Sequence, residues 1–173
     1  METGAQAFPG RRVWRATFVI LVLVGTNPYS FERMVGAVDE LAEKKKWDVF
    51  IQLGNTAYEP SHCKYERFVN KDIILEKIQA CEFVICHGGF GSMRDALAAD
   101  KKIIAVPRKP ELGECNDYQE ELVRELEDLG LVMGVYDIDT LPDAVERLDT
   151  FIPDKPGPNR IPDIIQEYLN TVA

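Results

Sequence analysis

Residues 82–107, EFVICHGGFGSMRDALAADKKIIAVP, decide the fold of this chain. An apolar run, EFVICH, leads into three glycines within four positions, and a helical pattern, SMRDALAAD, begins directly behind them. A second apolar run, KIIAVP, follows and stops at Pro107, where a strand would lose a backbone donor. A strand, a helix and another strand in this order predict a parallel β-α-β unit.

The same alternation continues on both sides of this unit. It predicts an α/β fold with a Rossmann-like parallel sheet and helices on both faces, over residues 16–150. Residues 1–15 are predicted to be a disordered extension. Residues 151–173 are predicted to form a proline-rich connection and a C-terminal helix at 161–171, whose apolar stripe either packs on the sheet or docks a partner. The other predicted strands are 17–24, 47–53, 64–70 and 131–137, and the other helices are 30–45, 71–80, 116–129 and 140–149.

Composition and charge exclude several classes of function. The chain has 173 residues, the size of one domain. Its net charge of -9 argues against nucleic-acid binding, which needs a basic face. Four cysteines without CxxC spacing and two histidines argue against a zinc site and favour a reducing, cytoplasmic setting. The longest apolar run, 16–24, is shorter than the ~20 residues of a membrane-spanning helix.

The glycine loop has the composition of a phosphate-binding turn. Gly88, Gly89 and Gly91 allow the backbone to approach a ligand closely. Ser92 is predicted to begin the following helix, so that the first free backbone N–H groups point into the loop. Together with the positive end of the helix dipole, these donors suit a diphosphate.

An alternative explanation of this loop needs no ligand. Ser92 and Asp95 have the spacing of a capping box, which by itself accounts for both residues. His87 is then a turn residue whose hydrogen bonds are satisfied locally. The loop also departs from G-x-G-x-x-G, and no acidic residue lies about 20 positions further on, so a dinucleotide site is not indicated.

Five segments in register resemble a known enzyme family. HGGFGSMRDAL, KKIIAVPR and NDYQEELVRELEDLG resemble the C-terminal domain of family 28 glycosyltransferases, the nucleotide-sugar half of the MurG-type GT-B enzymes. VGTNPYSFERMV and IQLGNTAYEP resemble two further segments, so the resemblance runs from about residue 18 to 148. The chain is most similar to the stand-alone version, which is the catalytic subunit of the eukaryotic dolichol-linked N-acetylglucosamine transferase or the PssE-type bacterial exopolysaccharide subunit.

The resemblance implies a donor-binding catalytic subunit of an inverting UDP-sugar glycosyltransferase. The donor would be UDP-N-acetylglucosamine or UDP-glucuronate, and the acceptor a lipid-linked saccharide. A membrane-anchored partner of the Alg14 or PssD kind would supply the acceptor site and the catalytic base, and would recruit the chain to the cytoplasmic membrane face. No metal or other cofactor is expected, and the D-x-D at Asp137 and Asp139 is predicted to be a solvated loop. The alternative is a non-catalytic, regulatory nucleotide-sugar-binding module.

The family pattern assigns donor contacts to loops at the carboxyl ends of the strands. The glycine loop would hold the diphosphate, and Asp95, where the family has Glu, the ribose hydroxyls. Asn116 and Gln119 would reach sugar hydroxyls, although Asn116 also suits a helix cap. Arg108 would lie over the phosphates or be solvated, and Tyr118 stands where the family has His. The complete set is Gly25, Thr26, His87, Gly88, Gly89, Gly91, Ser92, Asp95, Arg108, Glu114, Asn116 and Gln119.

Overall fold

Within the part of the chain that the structure describes, six strands form a parallel sheet. The computed structural model describes residues 19–154. The strands are β1 Val19–Leu23, β2 Asp48–Gln52, β3 Lys64–Glu66, β4 Phe83–His87, β5 Lys102–Val106 and β6 Met133–Gly134. Their order in the sheet is β3-β2-β1-β4-β5-β6, and every neighbouring pair is parallel. This is the order of a Rossmann fold, so the predicted fold class is confirmed.

Helices cover both faces of the sheet. Strand β1 is buried on both sides, with Ile20 and Val22 facing one core and Leu21 and Leu23 the other, as expected for the period-2 alternation of a central strand. The helices are α1 Glu32–Lys45, α2 Lys71–Ala80, α3 Phe90–Ala98, α4 Gln119–Asp128 and α5 Leu141–Arg147. The first core includes residues of α1 and α5, and the second includes residues of α2, α3 and α4.

The register of the strands brings the predicted site loops to one edge. Leu23 at the end of β1 pairs with Gln52 on one side and with Cys86 on the other. His87 at the end of β4 pairs with Val106. The chain winds away from β1 in both directions, so a crevice opens between the loops that follow β1 and β4. Ligands of open parallel sheets bind at such a switch point.

Several predicted boundaries differ from the structure, among them that of β3, which ends at Glu66 and not at residue 70. Helix α3 begins at Phe90, two residues before Ser92, and α4 begins at Gln119 instead of residue 116. The predicted strand at 131–137 is reduced to two residues. The predicted extension at 1–15 and helix at 161–171 lie outside the described residues.

The helices within 19–154 are too short or too polar for a bilayer. None of them combines the length and apolar character that crossing a membrane requires.

Candidate functional site

A cleft of about 770 Å³ opens at the carboxyl edge of the sheet, between the loops after β1 and β4. Its volume lies within the range of about 300–1,000 Å³ that small-molecule sites occupy. Most of the predicted site residues line it. They are Gly25, Thr26, His87, Gly89, Gly91, Ser92, Asp95 and Gln119.

The start of α3 lies at this cleft. Gly89 occupies the position before the helix, with φ −81° and ψ 132°, and Phe90, Gly91 and Ser92 form its first turn. The N–H groups of these three residues have no acceptor within the helix. Gly91 and Ser92 line the cleft. The predicted capping box was wrong, because Ser92 is the third residue of the helix and no side chain caps it.

The imidazole of His87 lies against Gly25, in the loop after β1, and against Gly89, in the loop after β4. A Cβ at Gly25 would lie 2.5 Å from Nε2 of His87, and a Cβ at Gly89 would lie 2.7 Å from its Nδ1. Both positions therefore exclude a side chain while His87 keeps its place. Gly25 in addition has a φ of +81°, a conformation that favours glycine.

The hydrogen bonding and burial of His87 keep its imidazole neutral. The Gly89 N–H donates to Nδ1 of His87 at 3.1 Å. Burial lowers the pKa of His87, and the nearby charge of Arg108 lowers it further. A side-chain hydrogen bond with Gln119 raises the pKa, but the result is a value of about 4. A neutral ring that accepts at Nδ1 carries its proton on Nε2. His87 can thus donate one hydrogen bond, but it brings no positive charge to an anion.

Gln52, which the sequence interpretation missed, fixes the backbone of Gly25. Its side chain accepts from the Gly25 N–H at 2.8 Å and donates to the Gly25 carbonyl at 3.0 Å. It also donates to the Arg67 carbonyl at 3.1 Å. In the sequence, Gln52 is a polar residue at the end of an apolar run and lies within the segment IQLGNTAYEP. In the structure it is 6% exposed.

Asp95 lies on α3, behind the glycine loop in the sequence, and forms two ion pairs. Its Oδ2 binds the ammonium of Lys71, and its Oδ1 accepts from Nη2 of Arg94 at 3.0 Å. Burial raises the pKa of Asp95, but its hydrogen bonds and charges from Lys71 and Arg94 outweigh burial and lower it. Asp95 is therefore ionised at neutral pH. Lys71 also lines the cleft and was missed in the sequence.

Residues 19–161 match the family model of the glycosyltransferase family 28 C-terminal domain. The chain belongs to this family. No curated protein gives a significant sequence match. The expectation from the sequence motifs is confirmed at the level of the family, whereas the stand-alone subtype stays a prediction.

Solved structures resemble this family 28 domain in fold. CalG4, the calicheamicin glycosyltransferase, has a TM-score of 0.58 at 19% identity, covering 95% of this chain and 47% of CalG4. The UDP-GlcNAc 2-epimerase of Methanocaldococcus jannaschii, solved with UDP-GlcNAc and UDP, has 0.58 at 14%, covering 87% and 45%. The molybdenum cofactor binding protein of the phototrophic bacterium Rippkaea orientalis has 0.53 at 11%, covering 77% and 98%.

These likenesses concern architecture alone, because every identity is below 20%. The chain spans less than half the length of the calicheamicin enzyme and of the epimerase. Its fold is similar to that of the C-terminal domains of GT-B glycosyltransferases.

Arg108 of the family 28 domain does not lie over the cleft, which corrects its predicted role. The side chain is 1% exposed, so it is neither phosphate-facing nor solvated. Its guanidinium instead joins the loops beneath the cleft to one another. It donates to the carbonyl oxygens of Val24, Tyr29, Ser30 and Glu114, at 2.9 to 3.1 Å.

Glu114 is also a structural residue and not a lining residue of the cleft. Both its carboxylate oxygens accept from Arg33, each at 2.9 Å, and one accepts from the Lys109 N–H at 2.9 Å. With 6% exposure and three donors, it has no free face for a sugar. The predicted sugar contact of Glu114 is therefore withdrawn.

Two further predicted contacts lie outside the cleft. Gly88 is buried against α4, where a Cβ would lie 2.8 Å from Cβ of Gln119 and 2.9 Å from Cγ2 of Val123. Its missing side chain lets α4 approach the sheet. Asn116 is exposed and does not cap α4, whose preceding residue is Tyr118. The neighbouring Asp117 lines the cleft instead.

The D-x-D motif lies in a turn of the backbone. Asp137 accepts a hydrogen bond from the Asp139 N–H at 3.1 Å, and both residues are exposed. Within residues 19–154, no three side chains of His, Cys, Asp or Glu are grouped so that they could hold a metal ion.

Proposed function

We propose that this family 28 domain binds the diphosphate of a UDP-sugar in the cleft and acts as the donor-binding catalytic subunit of an inverting glycosyltransferase. UDP-N-acetylglucosamine and UDP-glucuronate are the proposed donors. The first turn of α3 carries the proposal, because the N–H groups of Phe90, Gly91 and Ser92 lack acceptors within the helix where it meets the cleft.

These amides would stabilise the leaving group of the transfer. As the bond between the anomeric carbon and the diphosphate breaks, negative charge grows on the phosphate oxygen. Fixed donors at a helix N-terminus stabilise such charge without reorganising. A Cβ at Gly91 would meet nothing within 4 Å, so the space in front of this amide is open to a diphosphate.

The acceptor hydroxyl would attack from the opposite face of the sugar, which requires a base. Nδ1 of His87 already accepts from Gly89, and Asp95 is held by Lys71 and Arg94. Both facts support a base supplied by a second subunit. We propose that this subunit is membrane-anchored and carries the lipid-linked acceptor, so that the chain works at the cytoplasmic membrane face.

A second candidate is a nucleotide-sugar-binding module without transfer activity. The observation that favours it is the ion pair of Asp95, whose shorter side chain replaces the Glu of the family pattern and is engaged by Lys71. A ribose would have to compete with that pair. Transfer in the presence of the membrane subunit would exclude this candidate.

Titration of the purified chain tests the donor site. UDP and the two UDP-sugars should bind, and ADP and NAD should bind at least tenfold more weakly. Gly91→Pro removes one amide in the first helical turn, where proline is tolerated, and should weaken UDP binding by about tenfold. Gly91→Ala keeps the amide and is the matched control. Unchanged UDP affinity in Gly91→Pro, or equal binding of all nucleotides, would contradict the proposed site.

A further inference from the structure

Lys71 is the only Lys or Arg side chain that lines the cleft within the described residues 19–154. The other ionisable groups of the lining are the carboxylates of Asp95 and Asp117 and the imidazole of His87. His87 is neutral, because its pKa is lowered to about 4. Without Lys71 the lining would carry two negative charges and no positive one, which opposes the entry of a diphosphate.

The Lys71 side chain is placed for a second partner. Lys71 is the first residue of α2, and Asn70 caps this helix by accepting from the Asp72 N–H at 3.0 Å. The side chain of Lys71 is 55% exposed, whereas that of Asp95 is 11% exposed. An ammonium has three donors, and Oδ2 of Asp95 takes one of them.

Asp95 also has a second cation that compensates its charge. Arg94 reaches Oδ1 with Nη2 at 3.0 Å and with Nε at 3.3 Å. The carboxylate thus stays paired if Lys71 shares its remaining donors with a ligand. The ammonium of Lys71 is therefore held at the cleft by Oδ2 of Asp95, while Arg94 balances the charge of this carboxylate at Oδ1.

We propose that Lys71 recognises the charged phosphates of the ligand and sets the preference of the cleft for a nucleoside diphosphate over a nucleoside. This inference rests on the proposed function, whose donor carries that diphosphate. Asp95 holds the ammonium toward the cleft, and the amides of α3 bind the phosphate from the other side. In the opposite role, the ion pair with Lys71 would keep the carboxylate of Asp95 from binding the ligand.

The test compares the affinities of UDP and uridine in matched variants by calorimetry. In Lys71→Met, UDP affinity should fall about tenfold or more while uridine affinity changes less than about twofold. Lys71→Arg should keep most of the preference for UDP. Lys64→Met is the control, since Lys64 is an exposed lysine that pairs with Asp48 at 3.0 Å outside the cleft.

The double variant Lys71→Met with Asp95→Asn distinguishes two roles of Lys71, binding of phosphate and neutralisation of the charge of Asp95. If Lys71 contacts phosphate, the ratio of UDP to uridine affinity stays low in the double variant. Recovery of the ratio would overturn the inference, and so would an unchanged or tighter affinity for UDP in Lys71→Met.

Failure of the proposed function would look different. A wild-type chain that prefers ADP or pyrophosphate to UDP would overturn the UDP-sugar proposal alone, and the same Lys71 variants titrated with that probe would decide the inference. If the wild-type chain has no measurable affinity for UDP, ADP or pyrophosphate, both the UDP-sugar proposal and the inference on Lys71 are overturned.

Discussion

The backbone N–H of Gly89 donates to Nδ1 of His87 at 3.1 Å, and the imidazole fills the space that a side chain of Gly89 would need. This contact joins the end of β4 to the start of α3. On its other side the same ring lies against Gly25 at the end of β1. One neutral histidine therefore sets the separation of the two loops that form the cleft.

Gly89→Ala should disrupt the cleft more than it disrupts the fold. The new Cβ would overlap the imidazole of His87, so either the ring or the helix start has to move. We expect a loss of about 1–3 kcal/mol in the free energy of unfolding and a UDP affinity reduced by about tenfold or more. Denaturant unfolding and calorimetry measure the two effects.

Gly91→Ala is the control for this change, since a Cβ at Gly91 meets nothing within 4 Å. It should unfold with wild-type stability within about 0.5 kcal/mol. A Gly89→Ala variant that behaves like Gly91→Ala in both measurements would show that His87 is not packed against Gly89.

His87 should make the fold less stable below neutral pH. Its pKa is lowered to about 4 in the folded chain, against 6.5 for an ordinary histidine. Between these values the unfolded chain binds more protons than the folded one, so stability rises with pH through this window. The contribution is complete above about pH 6.5 and is lost as the pH falls toward 4, by about 1–3 kcal/mol.

Comparison with His87→Gln isolates this effect from that of the carboxylates. When the pH falls from 7.5 to 4.5, the wild type should lose more free energy of unfolding than His87→Gln does. Nitrogen chemical shifts should show an acceptor at Nδ1 and a proton on Nε2 at pH 7. Titration of His87 near 6.5 would contradict a half-buried ring that stays neutral.

Gln52→Leu should destabilise the loop after β1. The variant retains a side chain of similar size, but it leaves the Gly25 N–H and the Gly25 carbonyl without their partner. A fully buried unpaired group costs about 1–3 kcal/mol, and the cost is smaller here because both bonds of Gly25 are only partly buried. We expect a loss of about 1–3 kcal/mol in the free energy of unfolding, together with weaker UDP binding, because Gly25 lines the cleft.

Gln79→Leu provides the comparison, since Gln79 is exposed on α2 and does not line the cleft. An equal stability of the two variants would mean that the amide of Gln52 contributes nothing to the position of Gly25.

The sheet was predictable because its signals are local. Each buried strand is a short apolar run, and each helix has its own apolar period, as in KDIILEKIQA, which forms α2 over the predicted residues. The start of α3 was misplaced because Ser92 has the local features of a cap. In the structure the turn is shaped by His87 and Gly89, and the helix begins two residues earlier.

Side-chain roles in the loops were less predictable, since long-range contacts decide them. Arg108 and Glu114 follow a strand end, as ligand-binding residues often do. Their partners, however, lie 84 and 81 positions away, at Val24 and Arg33. Whether a charged side chain enters the cleft or passes beneath it depends on that packing. The same reason hid Gln52, whose partner Gly25 is 27 positions away.

Asp117→Asn tests whether the base belongs to this chain or to a partner. Asp117 is exposed and lines the cleft, and it is the lining carboxylate that does not share the ion pairs of Asp95. If the partner supplies the base, the variant should retain transfer within about threefold of wild type when membranes carrying the partner are added. Its UDP affinity should rise slightly, because one negative charge near the diphosphate is removed. A fall in turnover by about a hundredfold or more, at unchanged UDP affinity, would instead assign general-base catalysis to Asp117.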